Sequence, residues 1–178
     1  MRLWTWQKKG FSLTRGKVEG LKHSVYLNGP WMPECEKARF REAYKKLWER
    51  LGTDQILWFF TDEEEAKNNP SKLGHKGKVL WEIDVPDSSI FRIVCNTAWN
   101  IIIGTGPSSE KYRLVENFDD WWRAITVDEA WNMLFVDKGK LKHSLLREMI
   151  KGCTQVIIRH PVEKEWVKGS WPWKDVYS

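Results

Sequence analysis

The feature that most limits what this chain can become lies within its first third. Phe40, Ala43, Tyr44, Leu47, Trp48 and Leu51 recur at i, i+3, i+4, i+7, i+8 and i+11, with lysine, arginine and glutamate between them. A period near 3.6 gathers these side chains into one apolar stripe, so the segment is predicted to be an amphipathic helix whose stripe must be buried. Gly52 stands where a left-handed cap residue would end it. Shortly afterwards Ile56-Leu57-Trp58-Phe59-Phe60 forms a continuous apolar run of strand length. A helix followed at once by a buried strand needs a second layer to pack against.

Other segments supply that layer. Leu3-Trp4-Thr5-Trp6-Gln7 is short, aromatic and ended by Lys8, Lys9 and Gly10, which reads as a strand. Val79 to Val85 alternates, placing Val79, Trp81, Ile83 and Val85 on one face before Pro86 stops it. Thr154 to Arg159 is the last strand candidate, broken by His160-Pro161, with Trp166-Val167 resuming extended structure. Ile90–Val94 and Trp99–Ile103 are apolar runs that periodicity alone leaves open between strand and short buried helix. Thr61 with Glu64, and Thr126 with Glu129, have the spacing of a capping box, each opening a short helix. Phe118, Trp121, Trp122 and Ile125, and then Leu141 to Ile150 before Gly152, complete the helical spacings. Residues 11–33 and 104–109 are rich in turn residues. Strands and helices do not alternate regularly, so the expected architecture is α+β. One domain covering residues 1–178 would pack its helices on a mixed or antiparallel sheet.

Composition narrows the function classes. Thirteen tryptophans in 178 residues is a large excess. Indole buries much area while keeping one N–H donor, which suits either a thick core or a surface on which flat ligands stack. The net charge of +5 is compatible with a phosphate-bearing partner and equally with a lysine-rich solvated surface. Cys35, Cys95 and Cys153 lie far apart without a CxxC pair, which points to free thiols in a reducing compartment. No signal-like segment opens the chain and no apolar stretch approaches membrane-spanning length, so a cytoplasmic protein without a membrane partner is expected. The phosphate-binding, dinucleotide-binding, metalloprotease and nucleophile-elbow signatures are missing. His23, His75, His143 and His160 are scattered, and no metal site is expected.

Leu3-Trp4-Thr5-Trp6-Gln7, the Phe40–Ala43–Tyr44 helix, the Leu80–Pro86 strand, the Trp131–Phe135 region and the Gln155–Val167 stretch resemble the bacterial family known as domain of unknown function 3841. That resemblance implies a bacterial or phage origin and carries no activity with it. Thr154-Gln155-Val156-Ile157-Ile158-Arg159-His160-Pro161-Val162 is more distantly similar to the closing strand of ADP-ribosyltransferase-like domains. Leu3-Trp4-Thr5 is similar to their opening strand. The second resemblance implies that the two strands pair at the floor of a cleft holding NAD as substrate. Thr5 would hold the nicotinamide ribose, with Gln7 in ribose or nicotinamide contact, and Trp4 or Trp81 would line the cleft. The catalytic position falls to Gln155 or to Glu165. Gln155 replaces the usual glutamate, and an amide cannot offset oxocarbenium charge as a carboxylate does. Thr5 stands where histidine or arginine is usual. Glu163 and Glu165 form an ExE pair that a strand would place on one face, or they are two exposed glutamates in a charged turn.

Lys72, His75, Lys76 and Lys78 form a basic loop able to meet a pyrophosphate or a nucleic-acid backbone, or simply a solvated one. Trp121, Trp122, Trp171 and Trp173 are the indoles that periodicity explains least, and any of them is a stacking candidate. Three functions follow. The first is an ADP-ribosyltransferase-like enzyme acting on nucleic acid or protein in a toxin or phage–host conflict. The second is a non-enzymatic module that binds a nucleotide or nucleic acid. The third is an interaction protein whose tryptophans are all core.

Overall fold

A computed structural model of the chain describes residues 1–21, 27, 33–68, 77–103, 126–136 and 154–177. The expected helices at 118–125 and 141–150, the residues Lys72, His75, Lys76, Trp121, Trp122 and Cys153, and three of the four histidines lie outside the described residues. The fold is α+β. Its strands are β1 (Arg2–Lys8), β2 (Ile56–Phe60), β3 (Lys78–Asp84), β4 (Arg92–Cys95), β5 (Phe135–Val136), β6 (Thr154–Arg159) and β7 (Val167–Pro172). Its helices are α1 (Glu34–Leu51), α2 (Glu63–Asn68), α3 (Asn96–Ile103), α4 (Val127–Asn132) and α5 (Trp173–Val176). The strand order is β5-β4-β6-β2-β1-β3-β7. The β1–β2, β1–β3, β2–β6 and β3–β7 pairings are antiparallel.

The chain divides into two compact units. One comprises the described residues of Met1–Val18, Gln55–Ile93 and Lys138–Ser178. Directly opposed residues of antiparallel strands share a face, so the registers fix which side chains lie together. One face carries Leu3, Thr5 and Ile83 with Leu57, Phe59, Val156 and Ile158, all buried. The other carries Trp4, Trp6 and Leu80, and on it α2 and α5 pack through Ala66, Trp173, Val176 and Tyr177. The carbonyls near the end of a six-residue helix have no intrahelical partner. Here the Trp6 indole N–H donates to the Ala66 carbonyl at 2.9 Å, and the Tyr177 hydroxyl donates to the Lys67 carbonyl. The excess of indole is therefore partly a capping device.

The segment after β1 is pinned in the same unit. Gln55 holds Val18 from both sides, accepting from its N–H at 2.9 Å and donating to its carbonyl at 3.4 Å. Val162 donates its backbone N–H to Leu13, and the His160 ring nitrogen Nε2 lies 3.1 Å from the Ser12 carbonyl. Because a carbonyl only accepts, Nε2 carries the hydrogen. His160 is consequently a buried core histidine tied to the backbone, and not a solvated one.

The second unit comprises the described residues of Glu19–Asp54 and Val94–Asp137. Helix α1 buries Phe40, Ala43, Leu47 and Leu51, four of the six residues of the expected stripe, with Tyr44 and Trp48 half-buried, and ends at Gly52 with φ +68°. Tyr44 meets Trp99 edge-on at 5.0 Å, and Trp99 meets Trp131 edge-on at 6.3 Å, a preferred aromatic geometry. The run Trp99–Ile103 resolves as helix α3, which buries Trp99, Ile101, Ile102 and Ile103. Thr126 and Glu129 form the complete reciprocal capping box expected of them. At α2 the cap sits one residue later than expected. Asp62, and not Thr61, accepts the Glu65 N–H at 2.9 Å, and the helix begins at Glu63. Cys35 is exposed and Cys95 buried, and neither is in a disulfide.

Candidate functional site

The sequence-predicted site residues occupy both faces of the sheet. Thr5 on β1 is 3% exposed, and its hydroxyl accepts from the Gln7 amide at 2.9 Å. Thr5 lies directly opposite Trp81 on β3, so Thr5, Gln7 and Trp81 share one face. The Trp81 indole N–H is buried there without a hydrogen-bond partner. Gln155 on β6 pairs with Phe60, and Phe60 pairs with Trp4. Gln155, Phe60 and Trp4 therefore form a row on the opposite face from Thr5.

Two expectations are corrected at this point. The opening and closing strands do not pair, because β2 lies between β1 and β6. Thr5 and Gln155 do not converge, because neighbouring positions along β1 point to opposite faces and it is Trp4 that falls in the Gln155 row. The proposed carboxylate is elsewhere again. Glu163 precedes, and Glu165 lies within, a 3-10 turn at Lys164–Trp166, and both are exposed. The alternation that would align two carboxylates on a strand face is absent from such a turn. The Glu165 backbone carbonyl accepts from the Lys168 ammonium at 3.0 Å. Thr5, Gln155 and Glu165 are thus not gathered into one site.

The row of Gln155, Phe60 and Trp4 continues through Glu82 on β3 to Gly169 on β7. At Gly169 the sheet presents something different. The Trp171 indole lies against Gly169 so closely that an added Cβ would meet its ring at 2.5 Å. The missing side chain leaves room for the ring against the strand. Trp171 is 40% exposed, the one exposed indole among the described tryptophans. The seat is bordered on the same face by Glu82, which pairs with Arg2 at 3.6 Å. A register shift between Glu82 and Ile83 bends β7 beside it. The result is a partly exposed aromatic plate with a carboxylate and a guanidinium at its margin, able to stack on a flat ring and to hydrogen-bond its edge. Glycine two residues before a strand tryptophan was the sequence signal for it.

Four titrating groups are shifted in this unit, one of them Lys67, whose ammonium is raised by its hydrogen bond to Glu63. Burial, with the neighbouring Asp62 charge, raises the Glu65 carboxyl above its ordinary value, and its Oε2 has no hydrogen-bond partner. Burial lowers the Lys78 ammonium and raises the Tyr177 phenol. Among the described residues no group of three or more His, Cys, Asp or Glu side chains is placed to hold a metal ion, and no helix is long and apolar enough to cross a membrane. No family model matches the chain, and neither the curated proteins nor the solved structures yield a match.

Proposed function

We propose that this chain is a non-catalytic nucleotide-binding module in which Trp171 is the stacking surface. The observation that carries the reading is the indole seated on Gly169 and 40% exposed, which offers aromatic surface to a base or nicotinamide ring. Glu82 and Arg2 supply polar atoms for the edge of that ring. The positive net charge favours association with phosphate-bearing ligands. The enzymatic alternative has less support, since Thr5, the residue assigned to the ribose, is buried and its hydroxyl is engaged by Gln7.

Calorimetric titration with NAD, with ADP and with a short single-stranded oligonucleotide tests the reading. Stacking of one base on one aromatic ring contributes about 1–3 kcal/mol, so Trp171→Ala is expected to weaken binding by roughly 5- to 150-fold. Saturable heat with at least one probe, lost in that variant, supports the module. Absence of heat with all three, or equal affinity in Trp171→Ala, overturns it. Mass spectrometry of a lysate incubated with the protein and NAD is expected to show no new ADP-ribosylated species. Their appearance would refute the non-catalytic assignment.

A further inference from the structure

Far along the strand order from β7, a second arrangement carries chemistry that the stacking plate does not use. Phe91, immediately before β4, donates its backbone N–H to the Ile157 carbonyl of β6 at 3.0 Å. Its backbone is thereby tied to β6. Two guanidinium groups sit over that single ring, Arg159 with Cζ at 4.1 Å from the centroid and Arg92 with Cζ at 4.8 Å. Both arginines are exposed. Arg92 is anchored further by donating Nη1 to the Phe91 carbonyl at 2.7 Å. Arg159, the last residue of β6 and directly opposite Ile56, is held by the ring alone. Among the described residues it has no carboxylate partner, and none of its guanidinium N–H groups is hydrogen-bonded.

Surface arginines usually meet a carboxylate or move freely in water. Here two like charges converge on one ring with no carboxylate of the described residues paired to Arg159. The ring orients the fork of Arg159 while leaving its N–H edge unspent, and a planar fork matches the oxygens of a phosphoryl group in a bidentate way. More positive charge is placed by the topology. Gln55, which precedes the Arg159 partner Ile56, holds both backbone groups of Val18, next to the exposed Lys17.

We infer that Arg159 and Arg92, oriented by Phe91, form a binding site for a phosphoryl group. It is independent of the Trp171 plate and does not rest on the nucleotide reading. Calorimetry with inorganic phosphate and pyrophosphate, against chloride at matched ionic strength, tests it on the full chain. Saturable binding of either anion is expected, weakened at least tenfold in Arg159→Gln and several-fold in Phe91→Leu. Arg159→Lys keeps the charge but loses the fork, and is expected to recover only part of the affinity. Trp171→Ala is expected to leave anion binding unchanged, so the two sites can fail separately. ADP and an oligonucleotide then identify the source. An affinity gain over phosphate for ADP assigns the group to a free nucleotide, and a gain for the oligonucleotide assigns it to a strand, provided the gain disappears in Arg159→Gln. No saturable binding beyond the chloride control overturns the inference. Equal binding by wild type and an Arg159→Gln variant with unchanged thermal stability also overturns it.

Discussion

Replacing Trp6 with Phe separates the two uses of indole in this fold, because it keeps an aromatic ring and deletes the N–H. Trp6 is buried on the α2-covered face and donates to the Ala66 carbonyl at 2.9 Å. Ala66 is itself fully buried. An α-helix would satisfy that carbonyl from the residue four positions on, but that residue is Pro70, which has no N–H. The indole is therefore the donor that replaces it. Orphaning a buried carbonyl costs about 1–3 kcal/mol. Exchange of the larger ring for a smaller one adds about 1 kcal/mol of lost burial and packing. The expected loss is thus about 2–4 kcal/mol, a large part of the 5–15 kcal/mol that a domain typically has. Urea unfolding followed by far-UV circular dichroism measures it, with an unchanged m-value showing that the loss is one of stability. A loss below about 1 kcal/mol would refute the capping role. Tyr177→Phe is the companion variant. It removes the hydroxyl donor to Lys67 and keeps the ring stacked on Trp6 at 6.0 Å, so about 0.5–1.5 kcal/mol is expected. Since the two rings touch, the double variant should depart from additivity.

The remaining expectations concern titration and capping. Burial raises the Tyr177 phenol above its ordinary value of 10.0. The folded state thus favours the protonated form, so its stabilising effect is complete below that value and is lost as pH rises beyond it. Tyr177→Phe should lack that alkaline loss in denaturation profiles. Burial and Asp62 likewise raise Glu65 above 4.5. The folded state holds its proton more tightly, so stability falls as pH rises from 4.5 through the folded titration. Glu65→Gln should remove that decline and be more stable at pH 7, by about 1 kcal/mol or less. The opposite sign at pH 7 would place an uncounted donor on the carboxylate. In the other unit, Thr126→Ala deletes the acceptor of the Glu129 N–H at 3.2 Å and should cost about 0.5–2 kcal/mol by thermal or urea denaturation. An unchanged midpoint would show that α4 does not depend on its cap.

What the sequence made legible was local. The 3.6 period of Phe40 to Leu51 and the cap at Gly52 reappear as α1 with a left-handed glycine, and the apolar run Ile56–Phe60 is β2 residue for residue. Thr126 and Glu129 behaved as their spacing required. At α2 two overlapping patterns compete, Thr61 with Glu64 and Asp62 with Glu65, and spacing cannot rank them. The structure selects aspartate, the stronger of the two as a helix cap. Trp99–Ile103 was ambiguous for a physical reason. A segment buried nearly all round has no polar face to set a period, and α3 is such a segment. The candidate catalytic set depended on something no local pattern encodes, namely which strand lies beside which. β2 lies between β1 and β6, and its registers with them put Thr5 and Gln155 on different faces without altering either strand.

Aromatic excess and positive charge, which look like separate oddities of composition, meet at the same places in the fold. In the α1 unit, Lys46 and Arg50 lie over the Trp131 ring at 4.8 and 4.7 Å, and Arg50 also donates to the Trp131 carbonyl at 2.8 Å. That guanidinium is held at two points over a buried ring, which is the arrangement of a packing cation whose stem and head seal the core. Arg159 has the same first attachment, ring to guanidinium, without the second. The difference decides what each can do. Arg50 commits an N–H to its own chain over a buried ring, whereas the exposed Arg159, oriented only by a ring, keeps its whole fork for a ligand at little further entropic cost, with Arg92 adding charge beside it. If structure alone explained the cation–aromatic pairs, removing Arg50 and removing Arg159 should both destabilise the fold. If the second pair serves a ligand, Arg50→Gln should lower stability, while Arg159→Gln should leave stability near wild type and alter only anion binding.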